Sequence, residues 1–142
     1  MKFRVWHKKL QRFLAPEEWV LGFNGELFFV DVRAKNCLIA CSRDIYTVNR
    51  GLNFVDNSGK DIYEGDIIEV RIKAPYRNID KLQCSAVVSW DKERNSFFLK
   101  PLGALPLNSP CFDTKICSSL YYRYNIIGNI YENEDLFYKL LK

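Results

Sequence analysis

The sequence has few of the residues on which enzyme active sites depend. It contains one histidine, His7, and its five cysteines include no Cys-x-x-Cys pair. Neither G-x-G-x-x-G nor G-x-x-x-x-G-K-S/T occurs among the seven glycines, so no phosphate-binding loop is predicted. Catalysis needs a nucleophile with a base, a metal cluster or paired carboxylates. We therefore expect a protein that is not an enzyme and that uses no cofactor.

The cysteine spacing argues against a metal or disulfide framework. The cysteines are odd in number, so at least one must be free. Structural zinc sites take closely spaced pairs, which these positions do not form. We interpret the thiols as small buried side chains of a reducing compartment and predict no metal site. They are Cys37, Cys41, Cys84, Cys111 and Cys117.

Long apolar runs are also missing. No run approaches the roughly 18 residues of a membrane span, and the first residues lack the apolar block of a secretory signal. We expect a cytoplasmic protein without a membrane partner. The net charge of +4 comes from residues 1–60, which carry ten Lys or Arg against six Asp or Glu, while residues 61–142 carry eleven of each. Nucleic-acid binders usually have a stronger basic bias.

Aromatic side chains make up 15% of the chain and favour half-buried sheet surfaces. We predict a mainly β protein with minor α content. The clearest local signal is Asn24-Gly25 between two apolar runs, which favours a β-hairpin with a type I′ turn. His7, next to Trp6 and Lys8, is interpreted as a basic surface residue. Further strands are predicted over residues 2–6, 37–40, 43–49, 66–73, 82–90, 96–100, 118–123 and 125–131.

Two short helical segments and two long loops complete this reading. Pro16 with the acids after it predicts a single helical turn. Asn133 is the predicted cap of a C-terminal helix whose apolar stripe runs from Leu136 to Leu141. The loops are predicted over residues 73–81 and 101–110, and loops of that length are often functional.

The order of these elements predicts two parts. An N-terminal β-rich segment covers residues 1–52 and includes the Asn24-Gly25 hairpin. Residues 53–142 are expected to form a small barrel of the Src-homology-3 (SH3-like) type, closed by the C-terminal helix, since a barrel removes exposed strand edges. An open mixed α+β sheet is the alternative.

The most distinctive run is D-N-S-G-K-D-I-Y-E-G-D-I-I-E-V, from Asp56 to Val70. Its first four residues have turn chemistry, and Gly59 can adopt positive φ without steric cost. Tyr63 belongs to the same run, and Gly65-Asp66 marks a second corner, after which apolar and charged residues alternate as in a half-buried strand. A second run, I-I-G-N-I-Y-E-N, contains Gly128, Asn129 and Tyr131.

These two runs, together with M-K-F-R-V-W at the start, resemble the YopX family of phage and prophage proteins. That family has the pattern D-x-x-G-K-x-I-Y-x-G-D-I-(I/V)-x-V and a closing I-G-N-I-Y-E-N. The resemblance extends from one end of the chain to the other. It implies an accessory protein of a prophage or mobile element, in a bacterial host cell, whose role is uncharacterised.

The acids of the first run are interpreted as structural. Asp56, Asp61, Glu64 and Asp66 could indicate a site for a hard cation, but their spacing does not match the alternating oxygens of a calcium loop. Each acid stands where turn chemistry favours one. We predict that Asp66 accepts a hydrogen bond from a turn amide.

Basic and aromatic residues remain as candidates for a binding surface. Small barrels bind single strands by stacking bases on aromatics beside cations, or dock peptides in aromatic grooves. The same composition also arises when aromatics fill a core and charges face water. The candidate residues are Arg71, Lys73, Tyr76, Arg77, Lys81, Tyr121, Tyr122, Arg123 and Tyr124.

Two functions are compatible with these patterns. The first is a non-enzymatic binding or assembly module that contacts a protein partner or self-associates as an oligomer. The alternative is a nucleic-acid-binding regulator of phage replication or expression. The sequence alone identifies neither ligand nor partner.

Overall fold

The computed structural model describes residues 1–35, 37–74, 79–103 and 122–142. The protein is mostly β, with 57% of residues in strands and 15% helical, which confirms the predicted fold class. The strands are β1 (Phe3–His7), β2 (Arg12–Phe13), β3 (Trp19–Leu21), β4 (Leu27–Asp31), β5 (Cys37–Ala40), β6 (Tyr46–Val55), β7 (Asp61–Tyr63), β8 (Asp66–Ala74), β9 (Ile79–Asp91), β10 (Ser96–Leu102) and β11 (Tyr122–Asn129). The α-helix is α1 (Glu134–Leu141), and short 3-10 turns cover Pro16–Glu18, Val32–Ala34 and Arg43–Ile45.

The chain divides into two compact units. One contains residues 3–49, and the other contains residues 1–2 and 50–142. The sequence analysis predicted a boundary after residue 52, whereas the N-terminal unit ends at residue 49. The difference arises because β6 continues through this point, and its second half pairs with β7, Gly51 opposite Tyr63 and Val55 opposite Asp61.

The N-terminal unit contains the predicted hairpin, but its turn differs from the prediction. Strands β3 and β4 pair with Val20 opposite Phe28. Gly25 has a φ of +78°, whereas Asn24 has no positive φ, so the turn is not type I′. Gly25 N donates to Gly22 O (3.1 Å), and Gly22 N donates to Glu26 O. The loop is therefore a type I turn followed by a left-handed bulge residue, the usual three-residue hairpin connection.

The core of this unit is small, and an ion pair supports the turn beside it. Val5, Leu14, Leu27 and Tyr46 are buried together. At the predicted helical turn, the two guanidinium nitrogens of Arg12 donate to the two carboxylate oxygens of Glu18 at 2.8 and 2.7 Å. These bonds, with one from the Ala15 amide (2.7 Å), lower the pKa of Glu18 to about 2.

The C-terminal unit is built on one antiparallel sheet of order β10-β9-β8-β11. The sheet is curled into a half-barrel, while closure of the SH3-like type stays a prediction. Strands β8 and β9 begin and end within three residues of their predicted bounds. Residues 43–45, predicted to open a strand, form a 3-10 turn. Residues 122 and 123 of the strand predicted at 118–123 begin β11, and residues 73–74 and 79–81 of the first predicted loop belong to β8 and β9. Residues 75–78, 104–110 and 118–121 lie outside the described residues.

One end of this sheet is covered on both faces, since Ile67 and Ile68 point to opposite faces and both are fully buried. Ile68 and Val70 belong to a core that also contains Ile62, Val88 and Leu99. Ile67, on the other face, is buried with Val87 and Leu102 beneath α1, which contributes Leu136, Phe137 and Leu140. A bulge in β11 places Ile126 opposite Ile68 and Gly128 opposite Ile67. Asn133 precedes α1 as predicted, but its side chain makes no capping bond to the helix.

Candidate functional site

Asp56 organises the first turn of the long signature run. Its Oδ1 accepts hydrogen bonds from Ser58 N (2.8 Å), Ser58 Oγ (2.7 Å) and Lys60 N (2.9 Å). Its Oδ2 accepts from Ile126 N (3.1 Å), seventy residues away in sequence. Burial alone would raise the pKa of this carboxyl, but the four hydrogen bonds outweigh burial and hold the pKa below 3.8. Asp56 therefore joins the turn to strand β11.

Gly65 and Asp66 form the second corner. Gly65 has a φ of +87°, and a Cβ there would lie 2.9 Å from Cε2 of Tyr131. Its amide donates to Val88 O (2.8 Å), and its carbonyl accepts from Ile130 N (2.9 Å). Asp66 is buried, and its Oδ2 accepts from Tyr63 N at 2.8 Å, as predicted. The corner thus contacts the closing run directly.

The closing run has its own hydrogen-bonded loop around Asn129. Asn129 Oδ1 accepts from Tyr131 N (3.0 Å) and Glu132 N (2.9 Å), while its Nδ2 donates to Glu132 Oε2 (2.9 Å). Asn133 Oδ1 accepts from Asn129 N at 3.0 Å. A Cβ at Gly128 would lie 2.6 Å from that same oxygen, so only glycine fits there. The Asn133 side chain therefore stabilises this loop rather than the helix.

The signature residues consequently hold the sheet together. Asp56, Gly65 and Asp66 all bond to main-chain groups, and the two runs meet through Ile126, Ile130 and Tyr131. Of the other acids in the first run, Asp61 pairs with Lys2 Nζ at 2.7 Å. In the part of the chain that the structure describes, no three His, Cys, Asp or Glu side chains form a group able to hold a metal ion.

The structure separates the candidate basic and aromatic residues. Arg71 lies directly opposite Arg123, and Val70 opposite Tyr124, so the arginines share one face of the sheet and the tyrosines share the other. Tyr124 is buried in the core, and Tyr122 packs against it. Lys73 follows Arg71 on the arginine face, whereas Lys81 pairs with Ile72 on the tyrosine side. Tyr76, Arg77 and Tyr121 lie outside the described residues.

His7 has a local structural role. Its Nδ1 accepts from Leu10 N (3.1 Å), which closes the turn between β1 and β2. Its ring stacks on Phe29, with 5.4 Å between centroids. Among the cysteines, Cys84 is buried in the core as expected, but Cys37 is exposed; both are free thiols, as is Cys41. Cys111 and Cys117 lie outside the described residues.

An apolar sheet face in the N-terminal unit was missed by the sequence reading. Val20 lies opposite Phe28, and Phe28 opposite Ala40, while Val30 lies opposite Leu38. These five residues share the face of the β3-β4-β5 sheet opposite to the side that contributes Leu27 and Phe29 to the core. Val20 and Leu38 are 43% and 54% exposed. Apolar residues therefore occupy both faces of this three-stranded sheet.

Strand β5 forms an edge of that sheet. All four of its residues are exposed, including Leu38 and Ile39, and none is charged. Natural edge strands are commonly protected by charges, prolines or a covering element. The only sign of this edge in the sequence is the uncharged run C-L-I-A, which reads equally well as a buried strand.

Cavities border the elements described above, among them a small one of about 150 Å³ lined by Asp56, Tyr122, Arg123 and Tyr124. One of about 390 Å³ lies beneath α1 and is lined mainly by apolar side chains, with Lys100 and Glu134 also lining it. Another of about 260 Å³ adjoins Phe28, Ala40 and Cys41 in the N-terminal unit.

In the described ranges, no helix has the length and apolar content needed to cross a membrane.

Comparison with protein families identifies a family that matches nearly the whole chain. The YopX protein family matches residues 2–138 of the 142-residue chain. The chain belongs to the YopX family. The match includes both signature runs, so the turn and corner residues of this YopX-family chain lie within the matched region. A comparison with curated proteins finds no match.

Proposed function

We propose that this YopX-family chain is a non-enzymatic binding or assembly module of a phage or prophage, acting in the cytoplasm of a bacterial host. The observation that carries the proposal is the β3-β4-β5 sheet, whose outer face is apolar and whose β5 edge pairs with no other described strand. Partner strands add to exposed edges through main-chain hydrogen bonds, and adjacent side chains then provide specificity. Protein, rather than a small molecule, is the partner that such a surface fits.

The chemistry of the surface supports a protein partner. Val20, Phe28, Val30, Leu38 and Ala40 form one continuous apolar set across three strands. Phe23, at the tip of the β3-β4 hairpin, is fully exposed. Burial of such residues is favourable by about 25 cal/mol per Å², and no charged side chain belongs to the set. A protein that covers this face would remove it from water.

Photo-crosslinking tests the proposal. Benzoylphenylalanine is placed at position 20 and the chain is produced in bacterial cells. We expect discrete protein adducts, and we expect Leu38→Asp on the same face to abolish them. Leu10→Asp is the matched control, because Leu10 and Leu38 are both 54% exposed but Leu10 lies in the β1-β2 turn. Adducts that are absent, or that survive Leu38→Asp, would contradict a protein-binding role for this face.

Nucleic-acid binding is a second candidate, supported by the cations on the C-terminal sheet. Arg71 and Arg123 lie directly opposite each other, with Lys73 on the same face. Adjacent cations of this kind contact phosphates in many complexes. Glu69 Oε2 lies 3.8 Å from Arg71 Nη1 and offsets part of this charge. The buried ring of Tyr124 offers no stacking platform, so contacts with bases are not supported at that residue.

Fluorescence anisotropy distinguishes this candidate from the first. Labelled single- and double-stranded oligonucleotides are titrated at two salt concentrations with the native chain and with an Arg71→Gln, Arg123→Gln variant. We expect only generic binding, with a dissociation constant of about 10⁻⁴ to 10⁻⁶ M and no sequence preference. Submicromolar, sequence-selective binding at physiological salt that the double variant loses would favour the regulator.

A further inference from the structure

The hydrogen-bonding groups at the outer edge of β5 can be assigned from its pairing with β4. Cys41 N donates to Leu27 O (3.1 Å), and these residues continue the register in which Ile39 lies opposite Phe29. Hydrogen-bonded pairs alternate along an antiparallel ladder. Ile39 therefore bonds to β4, whereas the amides and carbonyls of Leu38 and Ala40 point away from it. No described residue bonds to these four groups.

This edge is complementary to itself. A two-fold axis that relates two antiparallel strands and is perpendicular to their sheet passes midway between one residue and its own copy. The register is therefore centred on a single residue. With Ile39 at the centre, Leu38 of each chain faces Ala40 of the other. All four outward groups of each strand are then hydrogen-bonded. If the register were centred on Leu38 instead, Leu38 would face its own copy. Ala40 would then face a residue that lies before β5 begins, so its outward groups would have no partner within β5.

The side chains fit the same register. On the outer face, the large Leu38 of each chain contacts the small Ala40 of the other, so the symmetric pair contains two such contacts. On the other face, Ile39 meets its own copy, and Cys37 meets Cys41 of the second copy. The strand contains no charge that would be repelled by its copy. Large-small and β-branched cross-strand pairs are favourable contacts in sheets.

We propose that two copies of this chain associate by antiparallel pairing of β5 with β5 about Ile39, forming a continuous six-stranded sheet. This inference rests on the proposed assembly function and names its partner as a second copy. The apolar outer faces of the two three-stranded sheets become one surface across the junction. Only a four-residue edge is buried in each chain, so the dimer is expected at the weak end of specific interfaces, with concentration-dependent association.

Cys37 and Cys41 give a direct test, because Cys37 faces Cys41 only when the two residues belong to different chains. Within one extended strand, residues four apart are separated by about 13 Å, too far for a disulfide, which needs Cα atoms within about 7 Å. Opposite residues of a non-hydrogen-bonded pair have Cα atoms about 4.5 Å apart. In a Cys111→Ser, Cys117→Ser background, mild oxidation should therefore link Cys37 to Cys41 of the second copy.

Two single variants provide the matched control. Cys37→Ser alone and Cys41→Ser alone should each lose the linked dimer, whereas an equal mixture of the two should regain it, with one Cys37–Cys41 bond identified by mass spectrometry. Linked dimers of equal yield in either variant alone would overturn the register. Cys84 is buried and should not contribute.

A backbone variant tests the pairing without oxidation. Ala40→Pro removes an amide that points away from β4, so the β4-β5 ladder keeps its bonds. Sedimentation under reducing conditions should show a monomer–dimer equilibrium for the native chain and loss of the dimer for this variant. A native chain that stays monomeric up to millimolar concentration would overturn the proposal. If the native chain is monomeric but crosslinks from position 20 to another protein, the dimer is wrong and the proposed binding function is retained. If it is monomeric and gives no crosslinks, both proposals are wrong.

Discussion

At the scale of single residues, two glycines of the signature adopt the same backbone conformation for different reasons. Gly59 and Gly65 have φ values of +86° and +87°. Nothing lies within 4 Å of a Cβ built on Gly59, whereas one on Gly65 meets the ring of Tyr131 at 2.9 Å. Gly59 is therefore required only by turn geometry. Gly65 is required by the turn and by close packing against the closing run.

Alanine substitutions at these two glycines should separate the two effects. Gly59→Ala incurs only the left-handed backbone penalty, about 1–2 kcal/mol. Gly65→Ala incurs the same penalty and also forces Tyr131 to move, so we expect its free energy of unfolding to fall by about 1–2 kcal/mol more. Urea denaturation of the three proteins measures the difference. Equal losses would show that the contact with Tyr131 does not constrain this corner.

Asp56 should make the stability of the protein depend on acid. Its pKa is lower in the folded chain than its ordinary value of 3.8. The stabilisation from the ionised carboxylate is therefore complete above that value and is lost as the pH falls through the folded pKa. Asp56→Asn keeps the size but removes the charge and one acceptor. We expect it to destabilise by about 1–3 kcal/mol at pH 7.

Comparison of the two proteins across pH isolates this group, since other carboxyls titrate in both. The gap in unfolding free energy between native chain and Asp56→Asn should narrow as the pH is lowered from 7 to 3. A gap of constant size over that range would mean that the charge on Asp56 contributes nothing to the turn.

At the scale of elements, the C-terminal helix shows which part of an apolar stripe is used. Leu136, Phe137 and Leu140 pack on the sheet, while Leu141 at the end is 46% exposed. The predicted cap at Asn133 supports the loop around Asn129 instead of the helix. An eight-residue helix is too short to be stable alone in water. Its formation therefore depends on packing against β9 and β10.

Neighbouring aromatic residues of this helix provide a test. Phe137 packs on the sheet and Tyr138 is 56% exposed. Phe137→Ala should destabilise by about 1–3 kcal/mol, less than a fully buried phenylalanine because part of the ring is exposed. Tyr138→Ala should change stability by less than about 1 kcal/mol. Thermal or urea denaturation measures the loss of stability in each variant. A larger loss for Tyr138→Ala than for Phe137→Ala would mean that the helix packs through its other face.

At the scale of the whole molecule, the two units have separate cores and share strand β6. The C-terminal unit holds both signature runs. The N-terminal unit carries the apolar sheet face and the β5 edge on which the proposed assembly depends, and no strand in the described ranges pairs with that edge except β4. The family signature is therefore explained by folding, and the proposed binding surface lies outside it.

We also expect the molecule to need neither metal nor disulfide for stability. Cys37, Cys41 and Cys84 are free thiols, and burial raises the pKa of Cys41, which keeps that thiol protonated. The melting temperature should be the same with and without a chelator, and with and without a reductant. Differential scanning fluorimetry measures both. A clear fall in the melting temperature with the chelator would contradict the prediction that the protein has no metal site.

Local sequence patterns alone predict many features of this protein. The run from Asp56 to Val70 identified two turns, the positive φ of Gly59 and the half-buried strand β8, because turn chemistry and strand alternation depend on neighbouring residues. The bond from Tyr63 to Asp66 followed from the same logic. The mainly β class and the YopX family were also accessible from the sequence.

Tertiary structure alone decided which partners distant residues meet. Asp56 bonds to Ile126 across seventy residues, Tyr124 enters the core while Arg123 does not, and strand β5 becomes an edge rather than a central strand. A run such as C-L-I-A has the same local pattern in either position, because burial depends on what pairs beside it. The order of strands, which no local pattern contains, therefore determined where the candidate binding surface lies.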